Sequence, residues 1–241
     1  MPPKDKAIPS VWARPRKKEH PALSQERIVA EAIQLLDAEG IESLSMRSLG
    51  TRLNAGATSL YRHVANKDEL IELVVDEVYG ELEVPAAGDP NAWREAIAGF
   101  AASLRAMALR HPWVATLLGQ VGLVQLGPNV SRLSEAVIAV FNAAGFSVEE
   151  SDKAMGTVIS YVVGLATNEA AYLSMLARSG QTETEFVENL RAAAEDNPEL
   201  PSAPAAQLSQ DPSEVRDENF DYGLQRVLDG LAVRLDQIKG S

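Results

Sequence analysis

The chain has 241 residues, 46% of them hydrophobic, with no cysteine and a formal net charge of −12 at pH 7. That suits one large domain, or a small domain with a larger one, and it excludes disulfides, thiolate metal sites and a cysteine nucleophile. The charge is uneven: residues 1–68 carry 11 Lys/Arg and 8 Asp/Glu, net +3, whereas the remainder carries 11 and 26, net −15, so any contact with DNA must be local to the front.

Residues 1–22 read as a flexible basic arm. Its "RPRKK" run is flanked by proline, and it has no periodicity and no apolar core of a secretion signal. It fits either a solubilising tail or extra phosphate contact. Residues 24–40 predict a helix. Ser24 can cap it, Ile28, Val29, Ala32, Ile33, Leu35 and Leu36 form its stripe, and Gly40 is a natural stop. A second helix is expected at 45–53, with Met46, Leu49 and Leu53 at helical spacing. "NAGA" (54–57) then makes a corner, since Asn and Gly tolerate left-handed backbone. A third helix is expected at 57–64. A fourth starts at "NKDEL", where Asn66 and Glu69 have the spacing of a capping box.

The body continues as helices over 90–110, 129–144, 148–178, 182–195 and 214–238. A proline-rich loop spans 196–214. No run alternates with period two, so no strand is expected. Two stretches, 111–131 and 154–168, lack Asp, Glu, Lys and Arg. Pro and Gly break the first and the second is too short to cross a bilayer, so both read as protein interior. The fold class expected is all-α: a three-helix head at 23–68 on a larger helical body at 69–241.

Two short helices joined by a tight turn and braced by a preceding helix make a helix-turn-helix. On the third helix Leu60 and Val64 can face the core, leaving Thr58, Ser59, Arg62 and His63 outward with Tyr61 at the edge. Arg62 can reach a guanine edge. Tyr61, Lys67 and Arg47 suit phosphates. Spacing alone leaves open a bundle that binds nothing.

"IVAEAIQLLDAEGIESLSMRSLGTRLNAGATSLYRHVANKDELIELV" resembles the DNA-binding head of the tetracycline-repressor (TetR) family of bacterial regulators, through "EGIESLSMRSLGTRL", the turn, "SLYRHV" and "NKDEL". The resemblance implies an all-helical homodimer, most simply a repressor released from a palindromic operator by a small molecule. It carries the DNA-contact positions onto Ser45, Met46, Arg47, Ala57, Thr58, Ser59, Tyr61, Arg62, His63 and Lys67. Gly56 stands where the family often has serine; glycine is an acceptable cap there, but one phosphate-facing hydroxyl is missing.

Leu224, Leu228, Leu231 and Leu235 repeat at four, three and four, and residues 148–178, with Tyr161 and Leu165, are apolar over much of their circumference. Burial within one chain and burial against a second copy fit that spacing equally; the resemblance implies the dimer. Trp113, Gln120, Gln125, Asn129, Asn168 and Tyr172 add sparse polar groups to the charge-free stretches, a mix that suits a small, mostly apolar effector. The namesake repressor holds a magnesium chelate through a His and a Glu. Those positions fall near Val121 and Asn168 here, neither a good magnesium ligand.

Catalysis is not expected. "GQVGLVQLG" matches no nucleotide fingerprint, the three histidines are scattered, and no G-x-S-x-G elbow occurs. The expected protein needs no cofactor and no membrane and works in the cytoplasm. The alternative is a helical small-molecule binder with a vestigial head.

Overall fold

The computed structural model describes residues 23–114, 117, 127–196 and 211–240. Gln120, Gln125, the basic arm and most of the proline-rich segment lie outside them. Among the described residues every regular element is helical. They are α1 (Gln25–Glu39), α2 (Met46–Arg52), α3 (Ala57–Leu60), α4 (Lys67–Tyr79), α5 (Trp93–Arg110), α6 (Pro128–Ala144), α7 (Val148–Ser179), α8 (Glu183–Asp196) and α9 (Pro212–Lys239), with a 3₁₀ turn at Ile41–Ser43. This is the expected all-α head on a larger helical body.

Capping chemistry sets the helix ends. Ser24 Oγ accepts the Arg27 N–H at 3.3 Å to start α1, and Gly40, at φ +77°, ends it. Ser147 Oγ accepts the Glu150 N–H at 3.3 Å to start α7. α9 begins two residues earlier than its spacing suggests. Asp211 Oδ1 accepts the Ser213 N–H at 2.8 Å, and Pro212 sits in the first turn, where a missing N–H costs nothing.

One apolar core runs the length of the molecule. It joins Ile28, Leu49 and Leu60 in the head, Leu70, Val74 and Val78 along α4, and Ile97, Leu104, Phe141 and Val158 in the body. α4 packs on α1 and on α6, so it belongs to head and body at once. Trp93, Phe141 and Phe146 meet with ring centroids 5.4–5.9 Å apart and fix α5 against α6. Arg234 beside Glu150, and Arg94 beside Asp229, hold those carboxyls below their ordinary range. A depressed carboxyl contributes above its unfolded value and stops contributing as it protonates, so both ties weaken with acid.

The leucine stripe has a different partner from the one expected. Leu224, Leu228 and Leu235 are buried within the single chain, and Leu231 and Leu165 pack half-buried on the same core. The Tyr161 hydroxyl donates to the Phe220 carbonyl at 2.8 Å, and its ring tilts against Phe220 at 6.0 Å. Leu224, Leu228 and Leu235 are thus spent on the chain's own core, while Tyr161, Leu165 and Leu231 keep part of their surface open.

Candidate nucleic-acid interface

The corner of the head is built by close backbone approach. Ser45 caps α2 through a reciprocal box with Ser48: the Ser48 N–H reaches Ser45 Oγ at 3.0 Å, and the Ser45 N–H reaches Ser48 Oγ at 3.0 Å. The chain then turns at Asn54, whose φ of +50° is the left-handed conformation expected of it. The Ala55 N–H donates to the Gly50 carbonyl at 2.8 Å. A Cβ on Gly50 would stand 2.8 Å from the Ala55 carbonyl oxygen, so only glycine lets the turn close here. Gly50→Val is therefore expected to cost about 1–3 kcal/mol and to loosen the corner, seen as a lower Tm and lost amide protection at Ala55.

α3 is shorter than its spacing suggests. Regular helix ends at Leu60, and a Val64 N–H to Leu60 carbonyl bond at 3.0 Å adds one further turn. Leu60 and Val64 are buried at 0% and 1% exposure and anchor this turn. Thr58, Ser59 and Arg62 are exposed, as are Ala57 and Lys67, and Tyr61 is 50% exposed. Gly56 takes the cap position with extended backbone, φ −69°, and no side-chain hydrogen bond. Asn66 Oδ1 caps α4 by accepting the Glu69 N–H at 2.8 Å. Glu69 reaches back to the Ala65 N–H at 2.6 Å, one residue before the expected donor.

Charge on this face is uncompensated. Arg47, Arg62 and Lys67 are exposed and make no ion pair among the described residues, whereas Arg52, on the same short α2 as Arg47, is tied to Glu31 at 2.6 Å and Glu39 at 3.4 Å. Met46, expected among the contacts, is only 8% exposed, and its side chain fills the head core. His63 is half-buried, and its carbonyl accepts the Gln25 amide at 3.2 Å.

The four candidate pocket residues among the described ones have separate surroundings. Trp113 is buried, and its indole N–H donates to Asp37 of α1 at 2.7 Å. Asn129 is spent on Asp76 of α4, Asn168 is exposed, and Tyr172 leans on Phe186 with centroids 6.0 Å apart. Gln120 and Gln125 lie outside the described residues.

What emerges is a pair of mounts that spacing does not reveal. Beside Trp113, buried His111 has Nδ1 2.7 Å from Asp37 and Nε2 3.2 Å from Glu81. The second mount is a cap supplied from another helix. Asp76 Oδ1 accepts the Asn129 and Val130 N–H groups at 3.0 Å each, and Oδ2 accepts the Asn129 side-chain amide at 3.2 Å. The two mounts hold α1 and α4 to the two ends of the segment that joins α5 to α6.

A short, exposed, cationic turn presented by a braced corner on an otherwise acidic chain defines a DNA-binding helix-turn-helix protein. Residues 28–74 match the family model described as bacterial regulatory proteins, tetR family, and residues 85–235 match the tetracyclin repressor-like C-terminal domain. An HTH-type transcriptional regulator of Saccharopolyspora erythraea is 38% identical over 225 residues, covering 92% of this chain and 91% of that one. The HTH-type transcriptional repressor DrrR1 of Streptomyces coeruleorubidus is 34% identical over 228 residues, covering 94% and 84%. Among solved structures, the TetR family protein ActR of Streptomyces coelicolor in complex with actinorhodin superposes with a TM-score of 0.68 at 31% identity, covering 88% and 97%. The chain belongs to the tetR family of bacterial regulatory proteins, and it is a DNA-binding transcriptional regulator.

Proposed function

We propose that the chain is a repressor that works as a homodimer and leaves a palindromic operator when a small molecule binds its body. The observation that carries this reading is the polar, cationic face of Thr58, Ser59, Tyr61 and Arg62, held outward by buried Leu60 and Val64. Residues 23–68 read the duplex, with Arg62 on a base edge and Arg47, Tyr61 and Lys67 on phosphates. Residues 69–241 pair the subunits and sense the effector. The protein acts in the cytoplasm, by binding rather than catalysis.

The pairing surface is the outer side of α7. Between Lys153 and Arg178 the only charged residue is Glu169, and it is buried. The exposed positions there are Gly156, Thr157, Ser160, Gly164, Thr167, Asn168, Ala171, Met175 and Ala177, an uncharged and, Met175 apart, small face of the kind that a copy of the same helix can approach closely. A two-fold pair places its recognition turns in successive major grooves, about 34–36 Å apart. The effector acts through the mounts: a shift of α6 is transmitted by Asp76 to α4 and so changes the spacing of the heads.

A mobility-shift titration on the DNA upstream of the chain's own gene, at several salt concentrations, tests this. A discrete complex that weakens steeply with salt is expected. Retardation no better than on unrelated DNA contradicts it. Arg62→Ala should weaken specific binding by about 1–3 kcal/mol and relax sequence preference at one base pair of each half-site, readable by the same titration on operator variants.

A further inference from the structure

The body holds a groove of about 450 Å³ between α5, α7 and α9. One side is apolar: Ala102, Ala106, Leu173 and Phe220. The other is a layered ion cluster. At its centre Glu169, with 7% side-chain exposure, accepts Nε and Nη2 of Arg105 at 2.8 Å each and Nε of Arg216 at 3.0 Å. Arg216 also pairs with Glu183. The Arg105 guanidinium lies over the Phe220 ring, 4.8 Å from its centroid. Its remaining contact is Nη1 to Asp217 Oδ1 at 2.7 Å, and Asp217 is 68% exposed.

The two carboxylates on Arg105 differ in kind. Glu169 is buried, forked and shared between two arginines, so it cannot leave without stranding charge. Asp217 makes one bond from a solvent-washed turn, where an ion pair contributes little. A ligand carboxylate that displaces Asp217 makes the same charge-assisted bond in a site with apolar walls, while Asp217 swings into solvent and stays, with Asp221, on the rim of the groove.

We propose that this groove binds a planar aromatic carboxylate, whose anionic end takes the place of Asp217 on Arg105 and whose ring lies between Ala102, Ala106 and Leu173. The groove's α7 residues, Glu169 and Leu173, lie on the opposite side of that helix from Ser160 and Thr167, so the site stays open in the proposed dimer. Its role as an effector site rests on the repressor reading above; the binding does not.

The test is calorimetric titration of the full chain with naphthoate and with its neutral analogue naphthamide. Naphthoate should bind more tightly than naphthamide, and the margin should widen to about tenfold, that of one charge-assisted bond, in Asp217→Ala. Asp217→Ala should tighten naphthoate binding, because it removes the competitor. Ala106→Trp, at an exposed position, should abolish binding while leaving the ion cluster and the helix content intact. Equal affinity for acid and amide, or weaker naphthoate binding in Asp217→Ala, overturns the proposal, as does no heat from either probe with wild type and Asp217→Ala alike. A parallel mobility shift separates the two readings: operator still bound at saturating naphthoate removes the effector role and leaves the groove's chemistry standing.

Discussion

A double substitution, Ser160→Arg with Thr167→Arg, is expected to give a folded monomer that no longer retards the operator. Both positions are exposed in the single chain, so neither arginine displaces a core residue, and helix content and Tm should stay close to wild type. Across a two-fold axis the same face meets itself, so the added charges confront their own copies, with no exposed carboxylate of α7 between Lys153 and Arg178 to pair with them. Without pairing, each head binds one half-site alone. The second head then no longer gains from a tethered local concentration, an advantage worth about 10²–10⁴ in affinity. Light scattering gives the mass and a mobility shift gives the binding. A dimer that persists in the double variant places the interface elsewhere. The matching experiment on the buried leucines is uninformative, because Leu228→Asp would put a charge into the chain's own core.

The second large effect is expected at the joint between α4 and α6. Asp76→Ala leaves the Asn129 and Val130 N–H groups at the start of α6 without the acceptor they have now, at about 1 kcal/mol, the usual cost of a lost helix cap. Gly127→Val attacks the same joint by crowding, because even a Cβ at Gly127 collides with the Asp76 carboxylate. Both variants should melt at lower temperature and lose amide protection at residues 129–131. If Asp76 transmits the position of α6 to the heads, both should also alter operator affinity, although each change lies in the body, away from the recognition turn. A variant that loses stability but keeps wild-type operator affinity shows the joint to be a brace and no more. Asp76→Asn is the gentler control: it keeps one acceptor oxygen but weakens the cap by removing its charge.

What could be read from the sequence follows the range of the interaction. Ser24, Asn66 and Gly40 act within one turn of themselves, and each sits at the helix end its residue type suggested. Leu60 and Val64 needed only helical spacing to be placed inward. Met46 shows two kinds of reading in conflict. Its spacing with Leu49 and Leu53 put it on the apolar stripe, family likeness made it a DNA contact, and the buried side chain sides with the spacing. The leucines of α9 expose the limit of periodicity, which shows that a face is buried but not against what. The mounts were out of reach: Asp37 meets His111 across 74 positions and Asp76 meets Asn129 across 53, and no local pattern marks either pair. The same holds for Arg105 and Glu169, which meet across 64 positions.

The most direct measurement compares operator binding by two variants. One removes the recognition face, with Thr58→Ala, Ser59→Ala and Arg62→Ala together, and the other removes a cation of the same head that is paired inward, Arg52→Ala. All four positions are exposed, so both proteins should remain folded and dimeric. The triple variant should bind operator no better than random duplex, while Arg52→Ala retains the preference. Specific binding that survives loss of that face would show that the chain reads its DNA with some other surface.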